Sequence, residues 1–152
     1  MISLCLIVRD EAEILRSFLD KVKGYVDEII IVDTGSKDNT KGIAREFTSK
    51  VFGFHWCDDF SAARNFSISK ASCDWILALD ADEVISQEDL GKIREIVKKG
   101  EFMGYRLIQE TYHNDKLVST RGICRIFKNH LGIKFVYPIH ETVRGSIIAL
   151  GG

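Results

Sequence analysis

Acidic and hydroxyl side chains follow three apolar runs of the sequence, at the point where each run ends. The runs and their followers are Ile2–Val8 with Asp10 and Glu11, Glu28–Val32 with Asp33 and Ser36, and Trp75–Leu79 with Asp80 and Asp82. Each run has the length and composition of a buried strand. In an open α/β sheet, ligands bind beyond the carboxyl ends of the strands. We therefore expect these side chains to converge on one site at one edge of a sheet.

Asp80 and Asp82 form an Asp-Ala-Asp sequence. In an extended segment, residues i and i+2 point to the same side, so both carboxylates can face one site. Carboxylates gathered at one edge repel one another unless a cation or a ligand satisfies them. Oxygen ligands suit Mg²⁺ or Mn²⁺, which commonly combine one or two carboxylates with substrate phosphates. The pattern is common by itself, but its place after a buried strand, with Asp33 in a parallel position, favours a metal site.

Strand and helix patterns alternate over residues 1–99 and position these side chains. The predicted strands are Ile2–Val8, Glu28–Val32, Val51–Phe54 and Trp75–Leu79. The predicted helices are Ala12–Val22, Lys41–Phe47, Ser61–Ala71 and a helix that Ser86 caps and that runs to about Val97. This alternation is typical of an α/β fold, with a mostly parallel, Rossmann-like sheet flanked by helices.

The pattern changes after Phe102. Short strands are predicted over Gly104–Glu110, Lys116–Thr120 and Ile123–Lys128, which indicates an antiparallel C-terminal extension of the sheet. We expect one domain over residues 1–152, with an α/β part over 1–99 and a β-rich part over 100–152. No closing element is predicted for the last residues, Leu150-Gly151-Gly152, so we expect the chain to be a piece of a longer protein.

Composition excludes several classes of protein. The 152 residues carry 21 Lys plus Arg against 22 Asp plus Glu, so the chain has no basic field for nucleic acid. The four cysteines form no C-x-x-C pair, which favours reduced thiols and a cytoplasmic location. No apolar run approaches the roughly 18 residues of a membrane helix.

Other nucleotide and metal motifs are missing. The sequence has no G-x-x-x-x-G-K, and Arg9-Asp10-Glu11 stands where a dinucleotide fold needs glycines. A nucleotidyltransferase would need a glycine-rich basic loop at the same place. An EF-hand that began at Asp80 would need glycine where Ile85 stands. His140-Glu141 lacks the second histidine of H-E-x-x-H.

Four blocks resemble, in order and spacing, those of family 2 glycosyltransferases with the GT-A fold. They are Leu4-Cys5-Leu6-Ile7-Val8-Arg9-Asp10-Glu11, Ile31-Val32-Asp33-Thr34-Gly35-Ser36-Lys37-Asp38-Asn39-Thr40, Asp59-Phe60-Ser61-Ala62-Ala63-Arg64-Asn65 and Trp75-Ile76-Leu77-Ala78-Leu79-Asp80-Ala81-Asp82-Glu83. Arg125-Ile126-Phe127 and His140-Glu141 resemble later blocks of a bacterial branch that includes lipopolysaccharide-core and peptide-modifying transferases. The resemblance covers nearly the whole chain.

The resemblance implies a nucleotide-sugar site. Asp33 corresponds to the acid that hydrogen-bonds the nucleotide base, and Glu11 and Ser36 lie in blocks that line the donor pocket. Arg64 matches an arginine near the nucleotide. The donor expected from the resemblance is a UDP-sugar.

The resemblance also implies the metal and the chemistry. Asp82 would carry Mg²⁺ or Mn²⁺ on the diphosphate, with Asp80 toward the ribose or the metal's waters and His140 as a third metal ligand. Because the family inverts the anomeric centre in one step, a carboxylate must take the acceptor's proton, and we predict Glu141 for this role. The usual Glu-Asp pair has no clear counterpart, and the missing Q-x-x-R-W block argues against a polymer synthase.

The partners follow from the same resemblance. We expect a nucleotide-sugar donor and a glycan, lipid-linked or peptide acceptor, with the β-rich part on the acceptor side. Contact with a membrane through further C-terminal parts and a homodimer through an unpaired strand of residues 102–136 are also expected. Arg121 and Arg125 could pair with phosphates or with acids on neighbouring strands. The alternative function is a nucleotide-sugar-binding module without transfer activity.

Overall fold

The computed structural model describes residues 1–151. Its strands are β1 (Ile2–Val8), β2 (Glu28–Asp33), β3 (Val51–Gly53), β4 (Trp75–Ala78), β5 (Gly104–His113) and β6 (Lys116–Lys128). Its helices are α1 (Ala12–Val22), α2 (Thr40–Phe47), α3 (Phe60–Ile68), α4 (Gln87–Lys99) and α5 (Arg144–Ala149). Among the described residues, no helix combines the length and the apolar character that crossing a membrane requires.

The strands form a six-stranded sheet in the order β3-β2-β1-β4-β6-β5. β1 pairs in parallel with β2 and β4, and β2 pairs in parallel with β3. β6 runs antiparallel to β4, and β5 runs antiparallel to β6. Parallel neighbours need long crossovers, and here these carry the helices. The predicted mostly parallel α/β sheet with an antiparallel C-terminal extension is confirmed.

Both faces of the sheet are covered, as its unbroken apolar strands require. Along β1, Leu4 and Leu6 belong to one core cluster, and Cys5 between them belongs to the other. This follows from the alternating direction of side chains in a strand. The first cluster is packed by α1, α2 and α4. The second is closed by α3 and by the buried Phe135 and Val143.

The strand register brings the carboxyl ends to one edge. Val8 pairs with Asp33, so the ends of β1 and β2 are level. On the other side of β1, Cys5 pairs with Ala78, and Asp80 follows two residues later. The residues after β1, β2 and β4 therefore start from one edge of the sheet. We call this edge, with the residues that follow the three strands, the rim.

β6 is one continuous strand, and the prediction of two short strands in its place was wrong. The break was expected near Gly122, but this residue pairs with Ile108 of β5. Arg106 also lies over it and donates from Nε and Nη2 to the Gly122 carbonyl at 3.2 and 3.0 Å. A continuous partner strand keeps the glycine in the ladder.

Two helices also differ from the prediction: α5 was not predicted, and α3 ends earlier than expected. α5 was not predicted, because it has no side-chain N-cap and none of its residues is fully buried. α3 ends at Ile68 instead of Ala71, because the N–H groups of Lys70 and Ala71 bond to carbonyls three residues back, in a turn. The expectation about the last residues includes Gly152, which lies outside the described range.

Candidate active site

The loops after β1 and β2 are tied together by side-chain hydrogen bonds to the backbone. Asp10 Oδ1 accepts from the Lys37 N–H at 2.6 Å, and the Asp10 N–H donates to Ser36 Oγ at 3.0 Å. Asp38 Oδ2 accepts from the N–H of Ala12, the first residue of α1, at 3.0 Å. Asp10 has φ of +55°, a left-handed conformation that aspartate tolerates better than most residues. One side of the rim is therefore a cross-braced double loop.

Asp33 lies at the floor of this double loop and is 3% exposed. Its Oδ1 accepts from the N–H groups of Gly35 and Ser36, both at 3.1 Å. Lys41 Nζ lies 3.7 Å from the same oxygen. Oδ2 is buried and has no hydrogen-bond partner among residues 1–151. Leaving a buried acceptor unpaired is costly, so this oxygen fits a ligand that donates an N–H.

An ion-pair chain joins β4 to the C-terminal part of the chain through α3. Arg64 of α3 donates from Nη2 to both oxygens of Asp80, each at 2.9 Å, and from Nε to Glu141 Oε1 at 2.6 Å. Arg64 is 4% exposed. Burial alone would lower the pKa of Arg64, but the carboxylates of Asp80 and Glu141 outweigh it and raise that pKa. The arginine is thus held as a cation between two acids.

The chain continues from Asp80 to the β5–β6 hairpin. Arg125 Nη2 donates to Asp80 Oδ2 at 3.2 Å and to Glu83 Oε1 at 2.9 Å. Glu83 also accepts from the Asp80 N–H at 3.0 Å and from Gln109 Nε2 at 2.6 Å. Arg121 Nε donates to Gln109 Oε1 at 3.1 Å. The sequence left open whether Arg121 and Arg125 pair with phosphates or with neighbouring acids. Arg125 binds the acids Asp80 and Glu83, whereas Arg121 donates to the side-chain amide of Gln109.

Asp82 differs from Asp80 in that its side chain is exposed. It makes no hydrogen bond or ion pair within residues 1–151, whereas both Asp80 oxygens are held by arginines. In the described part of the chain, no three His, Cys, Asp or Glu side chains are grouped so that they could hold a metal. The structure therefore does not bring Asp80, Asp82 and His140 together as three ligands. Of these three residues, Asp82 is the one that offers carboxylate oxygens not bound by another described side chain, which fits a hard cation that takes its other ligands from a substrate.

The pKa of Glu11 is raised by burial and by the other carboxylates of the rim. Burial is the largest cause that raises the pKa of Glu11, and the nearby carboxylates add to it. Those carboxylates belong to Asp82, Asp80, Asp38 and Asp10. The acids after β1, β2 and β4 therefore interact electrostatically, as expected from their strand-end positions. A cation bound among them would relieve this repulsion.

A loop over residues 136–142 brings Glu141 to the rim, and we call it the acceptor-side loop after the role that we propose for it below. Val136 and Thr142 exchange two backbone hydrogen bonds at its base, at 3.0 and 3.2 Å. The Phe60 N–H donates to the Pro138 carbonyl at 3.0 Å. His140 is exposed on this loop. Glu141 is 15% exposed at its side chain and is the loop residue that meets Arg64.

Sequence reasoning missed Asn65 and Gln109 as parts of this site, whereas it had placed Glu83 after β4 at the same edge as Asp80. Asn65 directly follows Arg64, which was singled out. Gln109 carries no such signal, because only the pairing of β5 with β6 and of β6 with β4 brings it to Glu83.

Sequence comparison agrees with this architecture. Residues 3–145 match the pattern of glycosyl transferase family 2. A TPR repeat-containing protein of Synechococcus elongatus is 44% identical over 149 residues, which are 98% of this chain and 37% of that protein. The SPbeta prophage-derived glycosyltransferase SunS of Bacillus subtilis is 32% identical over 142 residues, or 90% of this chain and 33% of that protein. The chain thus spans little more than a third of the length of these relatives.

Solved structures show the same fold at low sequence identity. TarS 1-349 of S. aureus superposes with a TM-score of 0.61 and 19% identity, over 78% of this chain and 38% of that one. Glucosyl-3-phosphoglycerate synthase of Mycobacterium tuberculosis, solved in complex with UDP, gives a TM-score of 0.50 and 24% identity, over 55% of this chain and 34% of that one. This is the GT-A arrangement that the sequence predicted.

The family pattern spans β1 through the start of α5, and so includes the double loop, the Asp-Ala-Asp sequence and the acceptor-side loop. With the sheet topology and the strand-end acids in agreement, this chain belongs to glycosyltransferase family 2.

Proposed function

We propose that this domain binds a nucleotide-sugar at the rim and transfers the sugar, with inversion, to an acceptor held beside residues 136–142. The observation that carries the proposal is the chain Glu141–Arg64–Asp80, which sets an acceptor-side carboxylate next to the Asp-Ala-Asp sequence. Asp82 and the unpaired oxygen of Asp33 lie along the same rim. A donor's diphosphate would need a metal-binding carboxylate such as Asp82, and its base would need a hydrogen-bond acceptor such as Asp33.

The donor's base would be read by Asp33. Its buried Oδ2 needs an N–H donor, and the N3–H of uracil supplies one. The N3 atom of cytosine is instead an acceptor and would repel the carboxylate. The family resemblance implies a UDP-sugar, and the N3–H of uracil suits this oxygen, so a UDP-sugar is the donor we propose, in a pocket also lined by Glu11 and Ser36.

The donor's diphosphate would lie near Asp82. We propose that this carboxylate holds Mg²⁺ or Mn²⁺ together with the diphosphate oxygens, since these ions are commonly bound by one or two carboxylates and substrate phosphates. When bound, the ion would neutralise charge on the departing nucleoside diphosphate. Asp80 is held by Arg64 and Arg125, so the role we propose for its carboxylate is to fix these two arginines, while its backbone N–H binds the Glu83 carboxylate.

The acceptor's proton would go to Glu141. Oε1 of Glu141 is fixed by Arg64, and Oε2 makes no hydrogen bond within residues 1–151. As the acceptor oxygen forms a bond to the anomeric carbon, the bond from that carbon to the diphosphate breaks on the opposite face. The hydroxyl proton passes to Glu141, which is general-base catalysis.

A binding module without transfer is the second candidate function. It is favoured by the 2.6 Å contact of Glu141 with the buried Arg64, because an ion pair that ties the loop to α3 would be a purely structural role for this carboxylate. This candidate shares the donor site and differs only in the last step.

The first test is thermal unfolding with UDP, GDP, dTDP and CDP, each with and without Mn²⁺. A ligand at about 100 times its Kd should add roughly 2.7 kcal/mol, a shift of several degrees. We expect the largest shift with UDP and Mn²⁺, and its loss in Asp82→Ala. Asp20→Ala is the matched control and should keep the shift, because Asp20 is an exposed aspartate near the C-terminal end of α1. No shift with any nucleotide would contradict the proposed donor site.

A further inference from the structure

The acceptor-side loop has a conformation that its own sequence does not favour. Tyr137 and His140 have φ of +77° and +58°, and neither is a glycine. Left-handed conformations of such residues are unfavourable and persist only where the surroundings impose them. Only one pair of backbone hydrogen-bonded residues, Val136 and Thr142, closes the loop from within. The loop must therefore be held from outside.

Asn65 of α3 makes two of these external contacts, one through each end of its side-chain amide. Its Nδ2 donates to the Phe135 carbonyl at 2.9 Å, and its Oδ1 accepts from the Phe135 N–H at 2.8 Å. One side chain thus satisfies both backbone groups of the residue that precedes the loop. The Phe135 ring is 3% exposed and packs edge-on against Phe127, with centroids 5.9 Å apart. The entry to the loop is fixed to α3 and to the core together.

Two more contacts connect α3 with the same loop. The Phe60 N–H, in the first turn of α3, donates to Pro138, and Arg64 donates to Glu141. The Arg64 guanidinium also lies 5.5 Å from the centre of the Phe135 ring. Because Arg64 also binds Asp80 through Nη2, α3 fixes the position of the acceptor-side loop relative to the Asp-Ala-Asp sequence.

We propose that Asn65 is a positioning residue, which holds the acceptor-side loop so that Glu141 stays at the rim. This rests on the proposed function for its consequence in turnover, but not for the contact itself. Asparagine suits the role because its amide offers a donor and an acceptor side by side. Alanine offers neither, so Asn65→Ala frees both backbone groups of Phe135.

The test compares Asn65→Ala with Asn129→Ala. Asn129 likewise binds backbone with both ends of its amide, donating to Cys73 at 2.9 Å and accepting from the His130 N–H at 2.9 Å, but at the far end of β6. Three quantities are measured: hydrogen exchange of residues 133–143, the Kd of UDP with Mn²⁺, and the release of UDP from UDP-glucose and UDP-N-acetylglucosamine as the sugar is transferred to water. We expect at least tenfold faster exchange and at least tenfold lower kcat in Asn65→Ala, with the UDP Kd and the donor KM within twofold of wild type.

Asn129→Ala should change neither the exchange of residues 133–143 nor kcat beyond twofold. Exchange at the wild-type rate in Asn65→Ala, or a loss of UDP affinity in step with kcat, would overturn the proposal. If wild type turns over no donor, the proposed function fails, and the exchange of residues 133–143 still decides whether Asn65 holds the loop. If Asn65→Ala does not fold, Asn65→Asp replaces it. Aspartate still accepts from the Phe135 N–H but cannot donate to the Phe135 carbonyl, so this variant should also speed that exchange.

Discussion

Arg64 illustrates how a residue identified from sequence acquires a different set of contacts in the fold. The resemblance predicts an arginine near the nucleotide, whereas the structure shows Nε and Nη2 bound to Glu141 and Asp80. Removing one partner of a buried ion pair costs about 3–5 kcal/mol, because the remaining charge is left uncompensated. Variants of Arg64 itself would leave two carboxylates uncompensated and confuse folding with function, whereas a variant of Glu141 leaves Arg64 paired with Asp80.

Glu141→Gln tests the proposed base. Glutamine can still accept a hydrogen bond from Arg64, but it cannot take a proton, so kcat should fall by about 10²- to 10⁴-fold. The UDP Kd should stay within twofold. Initial rates of UDP release and calorimetry measure the two quantities. Glu83→Gln, which removes a carboxylate from the same ion-pair chain but outside the acceptor-side loop, is the control and should lose less activity. Equal rates in Glu141→Gln and wild type would mean that Glu141 is not the base.

Asp33→Asn tests how the nucleotide base is read. Asparagine keeps an oxygen for the Gly35 and Ser36 N–H groups but turns an NH₂ toward the base. The loss of a hydrogen bond to a charged group, about 1.5–3 kcal/mol, should raise the UDP Kd at least about tenfold. CDP should gain relative to UDP, because its N3 accepts. Calorimetry with both nucleotides measures the ratio.

The control for Asp33→Asn is Asp27→Asn. Asp27 also accepts a backbone N–H, from Ile2 at 2.7 Å, but at the amino ends of the strands. It should leave both nucleotide affinities unchanged. An unchanged UDP-to-CDP ratio in Asp33→Asn would mean that this carboxylate does not contact the base.

At the scale of elements, Glu28 ties the amino ends of the parallel strands together. It begins β2 and accepts hydrogen bonds from Ser3 of β1, from Lys50 before β3 and from Ser72 before β4, the last through N at 2.8 Å and Oγ at 2.7 Å. Burial alone would raise the pKa of Glu28, but these hydrogen bonds outweigh it and lower that pKa to about 2. The edge opposite the rim is therefore fixed by one carboxylate.

This predicts a specific acid sensitivity. Since the pKa of Glu28 is lower in the folded than in the unfolded chain, its stabilisation is fully present above about pH 4.5 and is lost as the pH falls toward about 2. The amount is about 3 kcal/mol, given a side chain that is 9% exposed. Urea unfolding between pH 2 and 7 should therefore show a flatter pH dependence for Glu28→Gln than for wild type. Glu46→Gln, whose pair with Arg16 is half exposed, is the control and should change the curve little. Parallel curves for Glu28→Gln and wild type would contradict the assignment.

At the scale of the whole molecule, the sheet separates a structural edge at Glu28 from a functional edge at the rim. The formal charge is only −1, yet the acids after β1, β2 and β4 meet at the rim. Within residues 1–151 no group of three side chains forms a metal site. A metal and a nucleoside diphosphate should therefore bind there as mutual partners.

This mutual dependence can be measured. Mn²⁺ should raise the affinity for UDP by the same factor by which UDP raises the affinity for Mn²⁺, because binding free energies are linked reciprocally. Calorimetry of each ligand with and without the other gives both factors. Asp82→Ala should bring both close to one, and Asp20→Ala should leave both unchanged. Factors close to one in wild type would mean that the two ligands bind independently of each other.

Composition and periodicity are enough to predict the sheet and the residues at its edge. Uninterrupted apolar runs such as Ile2–Val8 and Trp75–Leu79 specify buried parallel strands, and parallel strands end at a common edge. Asp33, Asp80 and Asp82 were therefore predictable as neighbours of one rim from periodicity alone. Local patterns are sufficient here because each strand buries both faces whatever its partner is.

Which of the rim side chains are free and which are bound depends on the packing of elements that are far apart in the chain. Arg64 and Glu141 are 77 residues apart, and no local pattern relates them. Their contact depends on the packing of α3 against the segment that carries the acceptor-side loop, as does the grip of Asn65 on Phe135. The same packing binds Asp80 to two arginines and leaves Asp82 open. Side-chain partners of this kind are set by distances between elements far apart in the chain, which composition and periodicity do not encode.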